Sequence, residues 1–288
     1  MITSGREARS GWRGTVAEIW MVDPLLVTTA AILALLAVPS AAGIWLDPRT
    51  ITGAPAWLKP FKFAVSTAIY SVTLAWVFTY LPDWPRVRRV VGRTTAAVML
   101  FEVAIIDLQA WRGATSHFNI GTPVDAVLFS LMGMGIFLQT LSSGAVAFAL
   151  WRQAFADRAM GWALRLGIAL TIAGAFTGAA MTSPTSGQIA VARETGRMLV
   201  SGAHTVGGPD GGPGLVATGW STQHGDLRVP HFVGLHALQI LPVLAVLVRR
   251  RWSEAARVRF VLAAGAIYGV AFVLLLVQAL YGIPLIRS

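Results

Sequence analysis

The chain has no cysteine, which excludes disulfides, thiolate zinc sites, iron–sulfur clusters and cysteine nucleophiles in one step. Charge is scarce too: Asp, Glu, Lys and Arg make up 12% of its 288 residues, against about a quarter in a typical soluble domain. Lysine occurs only at Lys59 and Lys62, so nearly all the basic residues are Arg. What is abundant is apolar sequence, 55% of the chain, arranged in stretches of about 20 residues that match the hydrocarbon thickness of a bilayer. Little room remains for a soluble domain.

Seven such stretches are marked off, at 24–46, 61–81, 90–111, 124–150, 160–182, 230–249 and 258–281. The sequence therefore predicts an all-α, polytopic membrane protein, a bundle of seven transmembrane helices. Pro24, Pro60, Pro82, Pro123 and Pro230 fall at proposed boundaries, where proline suits a first turn and breaks an interior. Eight of the eleven tryptophans, Trp20, Trp45, Trp57, Trp84, Trp111, Trp151, Trp162 and Trp252, lie near span ends, the depth an amphipathic indole prefers. The Pro39-Ser40-Ala41-Ala42 end of the first span resembles a signal-cleavage site. Glu7, Glu18 and Asp23 before it argue instead for a retained span.

Basic residues are held on the cytoplasmic side during insertion, so their distribution orients the bundle. Arg6, Arg9, Arg13, Arg86, Arg88, Arg89, Arg93, Arg152, Arg158, Arg165, Arg249, Arg250, Arg251, Arg257 and Arg259 fall on one side, and eight basic residues on the other. The N-terminus is thus expected inside and the C-terminus outside, in a bacterial inner membrane. This asymmetry accounts for the net charge of +10 without a nucleic-acid partner. Four regions follow: a cytoplasmic segment 1–23 with a possible interfacial helix, helices one to five over 24–182, a long exoplasmic loop 183–229 capping the bundle, and helices six and seven with a short tail over 230–288. Within the loop a short helix is expected over 187–200, and the Gly207–Gly214 run is turn chemistry.

An ionisable side chain in hydrocarbon is costly and marks a candidate site. Ionisable and other polar residues gather beneath the outer side: Lys62, Ser66, Tyr70 and Thr73 on the second span, Glu102, Asp107 and Gln109 on the third, Asp125 and Ser143 on the fourth, His231, His236 and Gln239 on the sixth, and Gln278 on the seventh, while Gln139 on the fourth is the one strongly polar residue that reaches the inner half. Glu102 and Gln109 share a face, so a pairing between them is expected. Asp107 is expected to pair with Arg112. Gly167, Gly174 and Gly178 include a G-x-x-x-G pair that lets helices approach closely.

All five histidines, His117, His204, His224, His231 and His236, lie at this side, and imidazole is a common ligand for metals and haem iron. The expected function is an outward-facing His/carboxylate cavity under the loop that binds a small ligand, a metal ion or a single haem, with oxidoreductase or hydrolase chemistry. Glu102, His236 and Asp107 are the catalytic candidates. Lys62, Gln109, Arg112, Tyr70, Gln239 and Gln278 are the candidate ligand-binding residues. A transporter or channel with a midplane polar site, and a sensor or assembly subunit using the loop, are the alternatives. The retinal proteins, also seven-helix, are excluded because the last span has no lysine.

Overall fold

The computed structural model describes residues 12–287. Arg6, Glu7, Arg9 and the rest of residues 1–11 of the expected cytoplasmic segment lie outside the described residues, as does the side chain of Arg13. The fold is all-helical apart from two-residue strands. In chain order the elements are α1 (Trp12–Val22), α2 (Pro24–Leu46), β1 (Thr50–Ile51), β2 (Ala54–Pro55), α3 (Leu58–Phe78), α4 (Pro85–Arg112), α5 (Pro123–Arg152), α6 (Arg158–Ala180), α7 (Ser186–Thr195), β3 (Thr205–Val206), β4 (Gly225–Asp226), α8 (Arg228–Leu247) and α9 (Glu254–Leu280).

Six of these, α2, α3, α5, α6, α8 and α9, are long and apolar enough to cross a membrane. They expose large apolar side chains outward, among them Leu35, Phe137, Phe176, Val243 and Leu274. That suits a lipid surround and no aqueous one. The chain is thus a multi-pass membrane protein by the character of its helices. The remaining long helix, α4, begins five residues before the expected span and takes Arg86, Arg88, Arg89 and Arg93 into its first turns. This polar lead, with Glu102 and Asp107, makes it the least apolar of the long helices.

Local chemistry explains the boundaries. Asp23 accepts a hydrogen bond from the Leu26 amide at 3.0 Å and caps α2, with Pro24 in its first turn. Thr122 and Asp157 cap α5 and α6 likewise. Gly113 ends α4 at φ 72°, a left-handed conformation that glycine adopts without a Cβ penalty. Pro39 and Pro242 lie inside α2 and α8, so proline is no universal boundary here.

Neighbouring long helices pack in the order α2, α3, α4, α5, α6, with α8 and α9 closing against α6. The α6–α8 crossing is the tightest: a Cβ on Gly174 would fall 2.8 Å from Gly234 Cα, and one on Gly167 2.9 Å from Leu238 Cα. The α6 glycines therefore serve close approach, as their spacing implied. The main apolar core, with Leu26, Leu74, Phe78, Val91, Val146, Leu150, Leu164 and Leu241, lies between these helices.

The 183–227 segment lies over one end of the bundle. α7 stops at Gly196, short of the expected residue 200, because Gly196 turns left-handed at φ 69°. β3 pairs antiparallel with β4, Thr205 opposite Asp226. Ile120 N donates to Leu199 O at 3.0 Å, Ser201 N to Phe118 O at 2.9 Å and Ala203 N to Met181 O at 2.9 Å, tying the segment to the α4–α5 connection and the end of α6. Lys62 Nζ donates to Thr218 O at 2.9 Å, which adds the start of α3.

Candidate functional site

At this loop-covered end three chain segments far apart in sequence converge: the first turns of α3, the α4–α5 connection, and the loop. α3 brings Lys59 and Lys62. Lys62 is spent on the Thr218 carbonyl. Lys59 Nζ lies 5.7 Å from the centre of the Phe63 ring and, among the described residues, makes neither a hydrogen bond nor an ion pair. It is within electrostatic reach of Glu102, Lys62, Asp210 and Arg228.

The α4–α5 connection brings Ser116 and His117, with Ser116 Oγ 3.1 Å from His117 Nδ1. Phe118, at φ 64°, is a non-glycine residue in left-handed conformation, a cost of order 1 kcal/mol or more that its buried ring offsets. That twist sets the His117 ring against Phe63 at 5.7 Å and Phe118 itself against His204 at 4.9 Å. Burial holds the His117 imidazole well below its usual value, and the charge of Lys59 together with His204 and His231 pushes the same way. His117 is therefore neutral at neutral pH.

The loop contributes His204 and Asp210. One Asp210 carboxylate accepts from the His204 and Thr205 amides at 3.0 and 2.9 Å and from Thr205 Oγ1 at 2.7 Å. Its Oδ2 also lies 2.7 Å from His204 Nδ1. Burial opposes ionisation of Asp210, but these donors outweigh it and hold the carboxyl below its ordinary range. Burial lowers His204 in turn, the Asp210 bond opposing. The pair is thus a neutral imidazole donating Nδ1–H to a carboxylate, which leaves Nε2 as the free nitrogen. Sequence reading passed over Asp210 because it sits in a glycine-rich turn, and Lys59 because it precedes the expected span.

Several expected partnerships are replaced. Arg112 pairs with Asp125 at 2.8 Å, not with Asp107, and Gln109 Nε2 donates to Asp125 Oδ1 at 2.9 Å, not to Glu102. Asp125 sits on α5 directly across from the end of α4, so it meets both side chains first. Arg112, Gln109 and Lys62 are accordingly occupied by protein groups. Asp107 keeps one buried oxygen without a partner. Glu102 is 1% exposed with neither oxygen hydrogen-bonded. Arg228 forks onto Asp226 at 2.9 and 2.6 Å and donates to Gly219 O at 2.6 Å, a loop anchor.

The five histidines serve different places. His231 Nδ1 lies 2.7 Å from Gly174 O and fixes the start of α8 to α6. The His236 ring packs on Phe232 at 4.2 Å, and His224 lies against the backbone of Gly208. Gln239 approaches Thr73 Oγ1 at 3.4 Å, and Gln278 donates to Pro284 O at 2.8 Å at the end of α9. Among the described residues no three His, Asp or Glu side chains come close enough together to hold a metal ion. His117, His204, His231 and His236 nevertheless stay within electrostatic reach of one another.

Deeper in the bundle Tyr70, Gln139 and Ser143 form a network: Gln139 Nε2 donates to Tyr70 Oη at 3.0 Å, and Ser143 Oγ lies 3.4 Å from it. Two surface depressions lie elsewhere. One is a shallow apolar groove on α5 lined by Pro123, Val124, Val127 and Leu128, and the other a gap of about 10 Å³ bordered by Asp226, Val229 and Gln278. Compared with known protein families, with curated proteins and with solved structures, the chain matches none.

Proposed function

We propose that this chain is a seven-span inner-membrane protein, α4 included, with its N-terminus in the cytoplasm, and that its loop-covered end binds a small anionic ligand. The single observation behind the site is Lys59, an ammonium beneath the loop with no hydrogen-bonding partner among the described residues, within reach of Glu102 and of neutral His117. A desolvated cation of this kind is stabilised when an anion or strong acceptor supplies the missing bonds. Lys59 thus takes the anchoring role that the sequence assigned to Lys62 and Arg112.

His204 and His117 then stand as acid–base groups beside the ligand. The Asp210 bond to Nδ1 fixes the His204 tautomer and orients the ring, the arrangement by which a carboxylate prepares an imidazole to accept a proton. Glu102 is a second proton acceptor below. The 204–222 segment, tied to the start of α3 through Lys62 and Thr218, would act as a lid as the ligand comes and goes. The excess of arginines on the opposite side supports an exoplasmic lid, and the packing of α4 against α3 and α5 supports reading it as a seventh span.

The test is thermal unfolding of the purified protein with inorganic phosphate, acetate or succinate against chloride at matched ionic strength. At least one of these anions is expected to raise the midpoint of the wild type and to leave Lys59→Met unmoved. Equal stabilisation of Lys59→Met, or none in the wild type beyond chloride, would overturn the assignment.

A further inference from the structure

Beneath Lys59, at the seam of α3, α4 and α5, lies a row of buried polar atoms that the fold leaves without partners. Both Glu102 oxygens, Gln139 Oε1 and Thr95 Oγ1 are buried and unbonded, in residues only 1%, 6% and 0% exposed. Glu102 and Thr95 are seven residues apart, two turns along one face of α4. Gly135, Gln139 and Ser143 are spaced by four along one face of the antiparallel α5. The two faces meet: a Cβ on Gly135 would lie 3.8 Å from Glu102 Oε1 and 3.5 Å from Val98 Cγ1. A Cβ at residue 135 would meet only ordinary van der Waals contacts, so the α4–α5 seam has slack beside the carboxyl. Tyr70 of α3 closes the third side through Gln139 and Ser143.

Orphaned buried polar atoms in native structures are normally satisfied by ordered water. Towards the loop this row continues to Lys59 and His117. In the other direction apolar Leu74, Phe78, Val91, Val146 and Leu150 pack together, and the Asp23 carboxylate lies against Gly92 one turn below Thr95. We propose that Glu102 is a proton-exchange site on a hydrated half-path that opens only to the loop-covered end. A proton passes from hydronium or a buffer acid at that end, through water beside Gly135, to a Glu102 oxygen, and returns to water by the same route.

The charged groups facing Glu102 are few. Lys59 of α3 is the one that interacts with it, α2 carries no charged side chain, and Asp125 of α5 is bound to Arg112 and Gln109. Further along the same seam stand Tyr70 of α3, Asp107 of α4 and, against Gly92, Asp23 at the start of α2. The inference rests on the membrane-spanning reading of α3, α4 and α5 and not on the anion site at Lys59.

Infrared difference spectra of the full chain in nanodiscs, acid minus alkaline, test it in H2O and D2O. A protonated-carboxyl C=O band that shifts in D2O and is missing from Glu102→Gln is the expected result; identical bands in the two proteins would overturn the proposal. Gly135→Ala keeps the carboxyl and sets a methyl beside it, where the proposed water would pass. It is expected to retain the band but move its titration by about one pH unit, a tenfold change in proton affinity, whereas an unmoved midpoint contradicts the hydrated path. In proteoliposomes with impermeant buffers, labelling of Glu102 by dicyclohexylcarbodiimide is expected to follow the pH on the loop side, and dependence on the opposite side would refute the one-sided path. None of these readouts uses an anion, so failure at Lys59 leaves them interpretable.

Discussion

Asp210 organises the loop through one carboxylate: two backbone amides, a hydroxyl and an imidazole nitrogen all converge on it. Charge-assisted bonds contribute about 1.5–3 kcal/mol each at most, and not additively. Asp210→Asn is therefore expected to accelerate hydrogen exchange at the His204 and Thr205 amides by about tenfold or more, without changing exchange in α6 or α8. The pH dependence has a definite sign. His204 and His117 are both held below their ordinary value of 6.5, so the unfolded segment binds protons that the folded one refuses. Their neutral packing is fully stabilising above about pH 6.5 and weakens as pH falls below it. Asp210 adds a second loss at lower pH, since its depressed carboxyl contributes above its unfolded value of 3.8 and ceases to as pH drops beneath that. Limited proteolysis within residues 204–222 is expected to rise on acidification from pH 7.5 to 5.5, and less so in His204→Asn.

Among the elements, the α6–α8 pair shows why glycine spacing alone understates a contact. The G-x-x-x-G pattern in α6 was visible, but its partner was a single glycine, Gly234, in a helix read mainly for its histidines. Only in the fold do the two meet, and there a Cβ on Gly234 would lie 2.5 Å from Gly174 Cα. Thr171 Oγ1 adds a bond across the same crossing, to Leu235 O at 3.3 Å. Gly234→Ala is expected to cost about 1–3 kcal/mol by overpacking. Gly144→Ala on α5 meets nothing within 4 Å and is expected to be neutral or slightly stabilising, as alanine is in an open helix. A differential shift of the thermal midpoints of the two variants checks this.

For the molecule as a whole, the missing cysteines become an experimental advantage: any introduced thiol is the only one in the chain. Val216 is fully exposed at the loop tip, and Arg250 follows α8 at the opposite end. With the proposed orientation, Val216→Cys in intact cells is expected to react with an impermeant maleimide, and Arg250→Cys only after the membrane is opened. The reverse pattern would invert the bundle and place the lid in the cytoplasm, and labelling of both in intact cells would break the seven-span count. The basic residues of Arg86–Arg93 and Arg249–Arg251 are the reason for expecting the first pattern.

The amino-acid sequence determined the helical class, the approximate limits of each long helix and the end of the bundle where polar residues collect, because these depend on local properties: apolar run length, proline and glycine at termini, and polarity with depth. Individual partnerships were beyond its reach. Helix periodicity says which way Gln109 points, but whether Asp125 or Glu102 stands opposite depends on how α4 and α5 are set against each other. Likewise Lys59, His117 and His204 come from segments that share no periodic relation, and only the folding of the loop over the helix ends brings them together. The tertiary structure decided which groups were matched to each other, and so which, the buried Glu102 and the half-buried Lys59 above all, were left for something else to satisfy.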